Sequence, residues 1–551
     1  MKLIRSYVLL GTFLTASVSV AQTDRPLVFN QTNGLTRMVS TNDVSEIIFD
    51  KDASVASFEI KELGTADYSV SALESLTFQD ESNAMAFPSA NDFSVGFDPS
   101  DMSAVRNLEE KVPTDELAAD YNDFLENYET TKTVIITYNG NSATYTGVVS
   151  GIKITCDGAH VQVASAVGKV CYELRGTTSN GSFKITSDKK FRLKLNGVSI
   201  TNPTGAAINI QSGKAAYVML ASGTRNQLAD GKEYSMVPGE DMKGTIFSEG
   251  QLLFSGSGSL SVRSLSAHGI SSDDYIRFRS NCGDISIDAA KDGISPKDRF
   301  VMYGGNVTIK AGDDGIDVKQ GYMSICGGKL DVTAVDNGLA TLYSQNDTTY
   351  MEIKGGFVKV NTTGAKGHAI CSTGKLTIDG GVIQSTVEGD ASKAVNAYGK
   401  ALIANSRITL MTGGSPVYDE SEADYSSAAG IRSRSNLDIT DSRIGVVSRG
   451  KGGKGINCDA AVTLQNSAVT VITEGDALES GSDKVKSRGV DAASLTVKEG
   501  TELNISSTHN AIRTTGTATI AGGETFAFSS AARSVNCTET KQTAGLLFKG
   551  N

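Results

Sequence analysis

From Ser264 to Asn337 one phrase recurs, and its spacing limits what the chain can fold into. The copies read SAHGISSDDYIRFRS, AAKDGISPKDRFVMYGG, AGDDGIDVKQGYMSICGG and AVDNGLATL. Each places a small or polar residue, a glycine and an aliphatic residue ahead of a short alternating run. The aliphatic anchors Ile270, Ile294, Ile316 and Leu339 stand 24, 22 and 23 residues apart. A period in the low twenties without helical spacing is the signature of stacked β-coils.

The anchor column extends in both directions. It runs Ile208, Ile246, Ile270, Ile294, Ile316, Leu339, Ile370, Val395, Ile431, Ile456, Val490, Ile512 and Val535. That is about thirteen coils of 22–25 residues, with loops inserted where a step lengthens. A second punctuation falls midway, at Gly304-Gly305, Gly327-Gly328, Gly355-Gly356, Gly380-Gly381 and Gly522-Gly523, each followed by an alternating strand such as NVTIK or KLDVTA. Three short strands per coil follow, joined by bends in which glycine supplies φ > 0. An antiparallel sandwich accounts for neither the register nor its persistence. The expected fold is all-β, a parallel β-helix over residues 133–551.

The remaining segments are read separately. Residues 1–21 combine Lys2 and Arg5, an apolar run from Tyr7 to Ala16 and Ser19-Val20-Ala21, the pattern of a secretory signal peptide. Export to the periplasm, cell surface or medium is the expected localisation. Residues 22–80 contain two similar alternating units, ending at Phe49 and Phe78, and read as a small repeated β module that presents or spaces the main body. Residues 81–132 read as a linker followed by a capping helix. There Leu117, Tyr121, Phe124, Leu125 and Tyr128 fall on one helical face, suited to cover the open edge of the first coil. No later apolar run is long enough to span a bilayer as a helix. The seven Cys include no zinc spacing; Cys156 and Cys171 could pair, or serve as small apolar core residues.

A formal net charge of −11 argues against a nucleic-acid partner held through phosphates. It suits a protein that holds divalent cations. Aligned on the anchors, His268, Asp292, Asp314 and Asn337 form one column, and Ala267, Lys291, Asp313 and Asp336 the one before it. Asp317 follows its anchor and points outward. Carboxylates stacked one coil apart repel by roughly 3 kcal/mol at an effective dielectric near 20. A hard cation taking oxygen ligands offsets that, so Asp292, Asp313, Asp314, Asp317 and Asp336 are the candidate Ca²⁺ ligands. The alternative is that Asp-Gly and Asn-Gly are favoured turn dipeptides whose carboxylates are solvated. Lys297 and Lys319 recur three past the anchor, with Asp298 beside Lys297, and are candidate contacts for an acidic glycan. Tyr275, Tyr303, Tyr322 and Tyr350 recur near strand starts and read as coil-packing residues rather than a sugar platform. No His motif or nucleophile triad is apparent.

The run KFRLKLNGVSITNPTGAAINIQSGK, with LASGTRNQLADG, DMKGTIFSEGQLLFSGSGSLSV, HGISSDDYIRFRS and KDGISPKD, resembles a family of exported bacterial carbohydrate-binding proteins. The resemblance implies a right-handed parallel β-helix like that of polygalacturonate (pectate) lyases, binding of cellulose or acidic plant polysaccharide, and bound Ca²⁺. In the related family nine lyases calcium sits on a DDxxD-type cluster, matched here by Asp313, Asp314 and Asp317 with Asp292 one coil earlier. The expected function is exported polysaccharide binding on a Ca²⁺-bearing face. The alternatives are a Ca²⁺-dependent lyase acting by β-elimination, with Lys319 or Lys354 as base, and a surface adhesin or scaffold.

Overall fold

The structure is a computed structural model that describes residues 25–78, 83–96, 104–342, 349–480 and 483–550. The signal peptide expected at 1–21 lies outside them. The chain divides into two compact units, Pro99–Gly389 with Val395–Gly399, and Met1–Asp98 with Asp390–Ala394 and Lys400–Asn551. Both are built from parallel β-coils.

In the first of these units the anchors stack in register: Ile208 faces Ile246, which faces Ile270, and so on through Ile294, Ile316, Leu339, Ile370 and Val395. All are buried. Full burial of one such side chain contributes roughly 1.5–3 kcal/mol, so a ladder of them holds successive coils together. One coil comprises Ile294–Pro296, Arg299–Met302 and Asn306–Ala311, and the next Ile316–Val318, Tyr322–Ile325 and Lys329–Ala334. The column begins earlier than the sequence spacing indicated, because Val161 faces Phe183 and Phe183 faces Ile208. Ten coils therefore share this column, from Val161 to Val395.

Two kinds of glycine shape the coil. Gly305 and Gly328 adopt φ of +96° and +85°, as expected at the bends. The glycines before the anchors serve a different purpose. Gly269 and Gly293 are not in the left-handed region. A Cβ on Gly293 would stand 2.7 Å from the Gly315 carbonyl oxygen and would also strike Ile309, which packs across the coil interior. Close approach, rather than turn conformation, fixes the glycine of the Asp-Gly pairs.

The first coil is not covered by a helix. Its edge is closed by two antiparallel hairpins, Lys132–Asn139 with Ser142–Thr146 and Ile152–Asp157 with Ala159–Ser165. The segment expected to form the capping helix instead makes two 3₁₀ turns, Tyr121–Asp123 and Leu125–Asn127, and Leu117 stays 91% exposed. The reason is the surface it meets. Residues 104–131 lie as a strap along outward positions of successive coils, which repeat every ~4.8 Å. The Gly328 amide donates to Asn107 Oδ1 at 2.9 Å, and Tyr217 Oη donates to the Asn122 carbonyl at 2.6 Å. Phe124 sits under the guanidinium groups of Arg277 and Arg279, 4.8 and 4.1 Å from its ring centre. Glu110 pairs with both arginines at 2.9 Å.

In the other unit Ile431, Ile456, Val490, Ile512 and Val535 continue the same pattern over five coils. The N-terminal module belongs to this unit. Pro26–Gln31, Thr36–Ser40, Leu73–Phe78 and Met85–Ala86 form one sheet. Val44–Phe49, Val55–Ile60 and Gly64–Ser69 form an antiparallel meander that pairs onto Glu539–Gly550, with Tyr68 facing Leu546. The two units read as repeats thus lie in different sheets, and their shared phenylalanines, Phe49 and Phe78, are 44% and 51% exposed. The core is built from Phe29, Phe58, Tyr68 and Phe87 against Phe526, Phe528 and Phe548. The module therefore covers the coil that ends at Gly550 rather than spacing it. Cys156 and Cys171 do not form a disulfide. Among the described residues no helix is long and apolar enough to cross a membrane.

Candidate functional site

The column two before the anchors is a hydrogen-bonded ladder. The Asp292 amide donates to His268 Nδ1 at 3.2 Å, the Asp314 amide to Asp292 Oδ1 at 3.4 Å, and the Asn337 amide to Asp314 Oδ1 at 2.7 Å. The His368 amide continues it to Asn337 Oδ1 at 3.1 Å. Each side chain satisfies one backbone donor of the next coil, which explains why Asp and Asn recur there. His268 Nδ1 also lies 3.2 Å from Asp292 Oδ2. It accepts from the amide when neutral and donates to the carboxylate when protonated.

The five aspartates sort into two groups. Lys319 stays exposed, yet its ammonium reaches both Asp292 Oδ2, at 3.1 Å, and Asp317 Oδ2. Burial works to raise the Asp292 pKa, but His268 and Lys319 outweigh it and bring it to about 2. For Asp317 burial prevails over Lys319 and the pKa is raised. The same two carboxylates outweigh the desolvation of Lys319 and push its pKa up.

The second group is Asp313, Asp314 and Asp336, each with a carboxylate oxygen within 4.8 Å of the others. Asp313 is exposed, Asp336 half-buried and Asp314 only 7% exposed. Burial, together with Asp317, Asp292 and Asp336, raises Asp314 to about 7, against its bond from the Asn337 amide. Asp336 is raised by burial and by Asp313. No lysine bonds to this group among the described residues. An all-oxygen donor set of this kind fits a hard divalent cation. Asp313, Asp314 and Asp336 would hold it, whereas Lys319 already serves Asp292 and Asp317.

Lys297 and Asp298 are exposed on the coil before Lys319. A groove of about 530 Å³ opens beside Asp336 and Asn337, with Leu342, Lys366, His368 and Tyr398 in its walls. Tyr275, Tyr322 and Tyr350 share one column, with Arg299 between the first two. Tyr322 and Tyr350 stack at 4.7 Å, and the Arg299 guanidinium lies 3.7 Å over Tyr275. Tyr303 lies outside this column. A further acidic group, Asp241, Glu249 and Asp273, escaped the sequence reading because it comes from an inserted loop and two coils. Lys243 already bridges it, at 2.9 Å from Asp241 and 2.7 Å from Asp273.

The ladder, both aspartate groups and all of the groove's walls but Tyr398 fall within one stretch of family likeness. Residues 157–390 match the family of carbohydrate-binding domain-containing proteins. Over this segment the chain is similar to that family. A carbohydrate-binding domain-containing protein of Acetivibrio thermocellus is 30% identical over 122 residues, 21% of this chain. The chain spans 42% of that relative's length. The polysaccharide lyase-like protein from C. thermocellum, solved as a gadolinium derivative, is 24% identical, with 49% of this chain and 97% of the other covered at a TM-score of 0.38.

Proposed function

We propose that the carbohydrate-binding segment holds an acidic polysaccharide, of polygalacturonate type, beside a Ca²⁺ site made by Asp313, Asp314 and Asp336. The observation that carries this reading is the convergence of three carboxylates, one of them buried, with no lysine among the described residues to neutralise them. Bound there, a divalent cation would supply the positive charge that a uronate carboxylate requires. Exposed Lys297 adds a second attraction, and the groove beside Asp336 offers room for sugar rings. Lys319 positions Asp292 and Asp317 rather than the glycan. Export through residues 1–21 is part of the proposal and rests on their sequence pattern.

Binding is favoured over β-elimination because neither lysine suited to take a proton is free to do so. Lys319 is held by two carboxylates, and Lys354 lies 2.5 Å from Glu352, which outweighs burial and raises its pKa. A base must be neutral to accept the proton. The test is calorimetric titration with CaCl₂, followed by retention on immobilised polygalacturonate with and without chelator. Retention that needs Ca²⁺ and is lost in Asp314→Ala supports the proposal. Retention unchanged by chelation and by Asp314→Ala would remove calcium from it, and accumulation of unsaturated product would replace binding with lyase activity.

A further inference from the structure

In the unit that contains Lys400–Asn551, the columns that carry aspartates around Ile316 change sign. Two before the anchors Ile456 and Val490 stand Lys454 and Arg488, which face each other in the register. One past the anchors stand Asn457, Asp491 and Arg513, each facing the next. Asp314 and Asp317 hold the same two places about Ile316.

Here three cations share one carboxylate. Arg513 Nη1 donates to Asp491 Oδ1 at 2.9 Å, Arg488 Nη1 donates to Asp491 Oδ2, and the Lys454 ammonium lies 3.9 Å from that second oxygen. With Lys454 protonated the group carries a net charge of +2, in a chain whose formal net charge is −11. Asp424 also acts on Lys454, but it is exposed. Burial first, then Arg488, lowers the Lys454 pKa to about 7, the sign of a missing counter-charge. His509, on which Lys454 also acts, is held below its ordinary pKa by burial and then by Lys484 and Lys486, against Asp476. The coil itself does not require these charges, because Ala429 holds the place of Lys454 one coil earlier.

The open donors reach solvent. The Arg513 side chain is 35% exposed and that of Arg488 23%. Each has given one terminal nitrogen to Asp491, and the other, Nη2, has no partner among the described residues. Arg488 Nε is buried and takes no part. Lys454 is also buried and adds charge from beneath, its ammonium donating to the Lys486 carbonyl. The half-buried Asn457, beside Asp491 in the register, has a side-chain amide likewise unpartnered among the described residues. Guanidinium forks held side by side on one carboxylate favour an oxyanion, which accepts several charge-assisted hydrogen bonds at once.

We propose that Arg488 and Arg513, with Asn457 and the charge of Lys454, form a metal-independent site for an oxyanion borne on a saccharide, a uronate carboxylate or a sulfate ester. The donors come from successive coils on an outward face, so only the charged substituent of a longer chain need enter. That the carrier is a saccharide rests on the carbohydrate-binding likeness of residues 157–390; the oxyanion site does not.

Calorimetry and ligand-observed NMR on the full chain, freed of Ca²⁺ with the chelator then removed, test it. The probes are digalacturonate, a galactose sulfate, cellobiose and sodium sulfate. At least one of the two charged saccharides is expected to bind, without competition from cellobiose. Arg513→Gln should weaken that binding by about tenfold or more. Arg513→Lys keeps the charge but loses the fork, and should fall between Arg513→Gln and the wild type. The bound saccharide should raise the melting temperature of the wild type and not that of Arg513→Gln. Absence of charged-saccharide binding at millimolar concentration overturns the proposal, as does equal affinity in the wild type and Arg513→Gln. Sodium sulfate binding as tightly as both saccharides would show an adventitious ion only, and overturn it too. On immobilised polygalacturonate, Arg513→Gln removes retention that resists chelation and Asp314→Ala removes retention that needs Ca²⁺, so either reading can fail alone.

Discussion

Asp314→Asn should stabilise the metal-free protein at alkaline pH, although Asp314 lies at the centre of the proposed cation site. Asn is isosteric and keeps the Oδ1 acceptor that receives the Asn337 amide at 2.7 Å and Asn337 Nδ2 at 3.0 Å. Only the charge is lost. Burial and neighbouring carboxylates raise the Asp314 pKa from 3.8 to about 7. Between those values the native state keeps a proton that the unfolded chain releases, so stability falls as pH rises through the window. Three pKa units correspond to roughly 4 kcal/mol at most, and sharing of charge with Asp313 and Asp336 reduces this to about 2–4 kcal/mol at pH 8. Hydrogen exchange at the Asn337 amide, with denaturant unfolding alongside, measures it in the presence of chelator. The advantage of Asn should fade as pH falls towards 4. Millimolar CaCl₂ should stabilise the wild type and shift the variant far less. A variant that is less stable at pH 8 without cation, or that gains equally from CaCl₂, would refute the reasoning.

Three further outcomes are expected. Lys319→Met leaves Asp292 and Asp317 without their shared cation; because Lys319 is itself exposed and His268 still holds Asp292, the cost should be about 1–3 kcal/mol, partly recovered by adding Asp317→Asn; thermal melts of both variants decide. Arg37→Met breaks the buried pair with Glu524 that ties Thr36–Ser40 to the coils, at a similar cost. Amide exchange in Gly64–Ser69 should then accelerate together with that of Glu539–Gly550. Burial, followed by Arg488, lowers the Lys454 pKa to about 7, so the unfolded chain binds the extra proton between pH 7 and 10.5 and stability rises with pH across that window. Lys454→Met should therefore raise the melting temperature most below pH 7, with the gain shrinking towards pH 10.5.

The sequence carried most of the coil register because a coil repeats its demands. An inward aliphatic, a following strand and a tight bend must recur at every level, and every anchor from Ile208 to Val535 is in an inward column. Val161 and Phe183 keep the period but were missed because His160 and Ser182 stand where most later coils place a glycine or alanine ahead of the anchor. The strap was misread for a physical reason: Phe124, Leu125 and Tyr128 have helical spacing, but they meet partners spread across coils rather than one groove. At the site, the stacking of Asp292, Asp314 and Asn337 was legible, whereas its use was only half legible. Spacing cannot tell a carboxylate that repels its neighbour from one that accepts its neighbour's amide, nor show that Lys319 pairs with Asp292 and Asp317.

The pairing of Gly64–Ser69 with Glu539–Gly550 sets an order of events during synthesis. Tyr68 leaves the ribosome long before Leu546, its strand partner, exists. At about 5–20 residues per second the interval is on the order of half a minute to a minute and a half. Throughout it Phe29, Phe58 and Tyr68 lack the rings of Phe526, Phe528 and Phe548 that later cover them. Folding of the module thus waits on the pairing of Glu539–Gly550. A chain halted one coil early keeps a bare aromatic face and an unpaired strand edge, which expose it to aggregation and proteolysis.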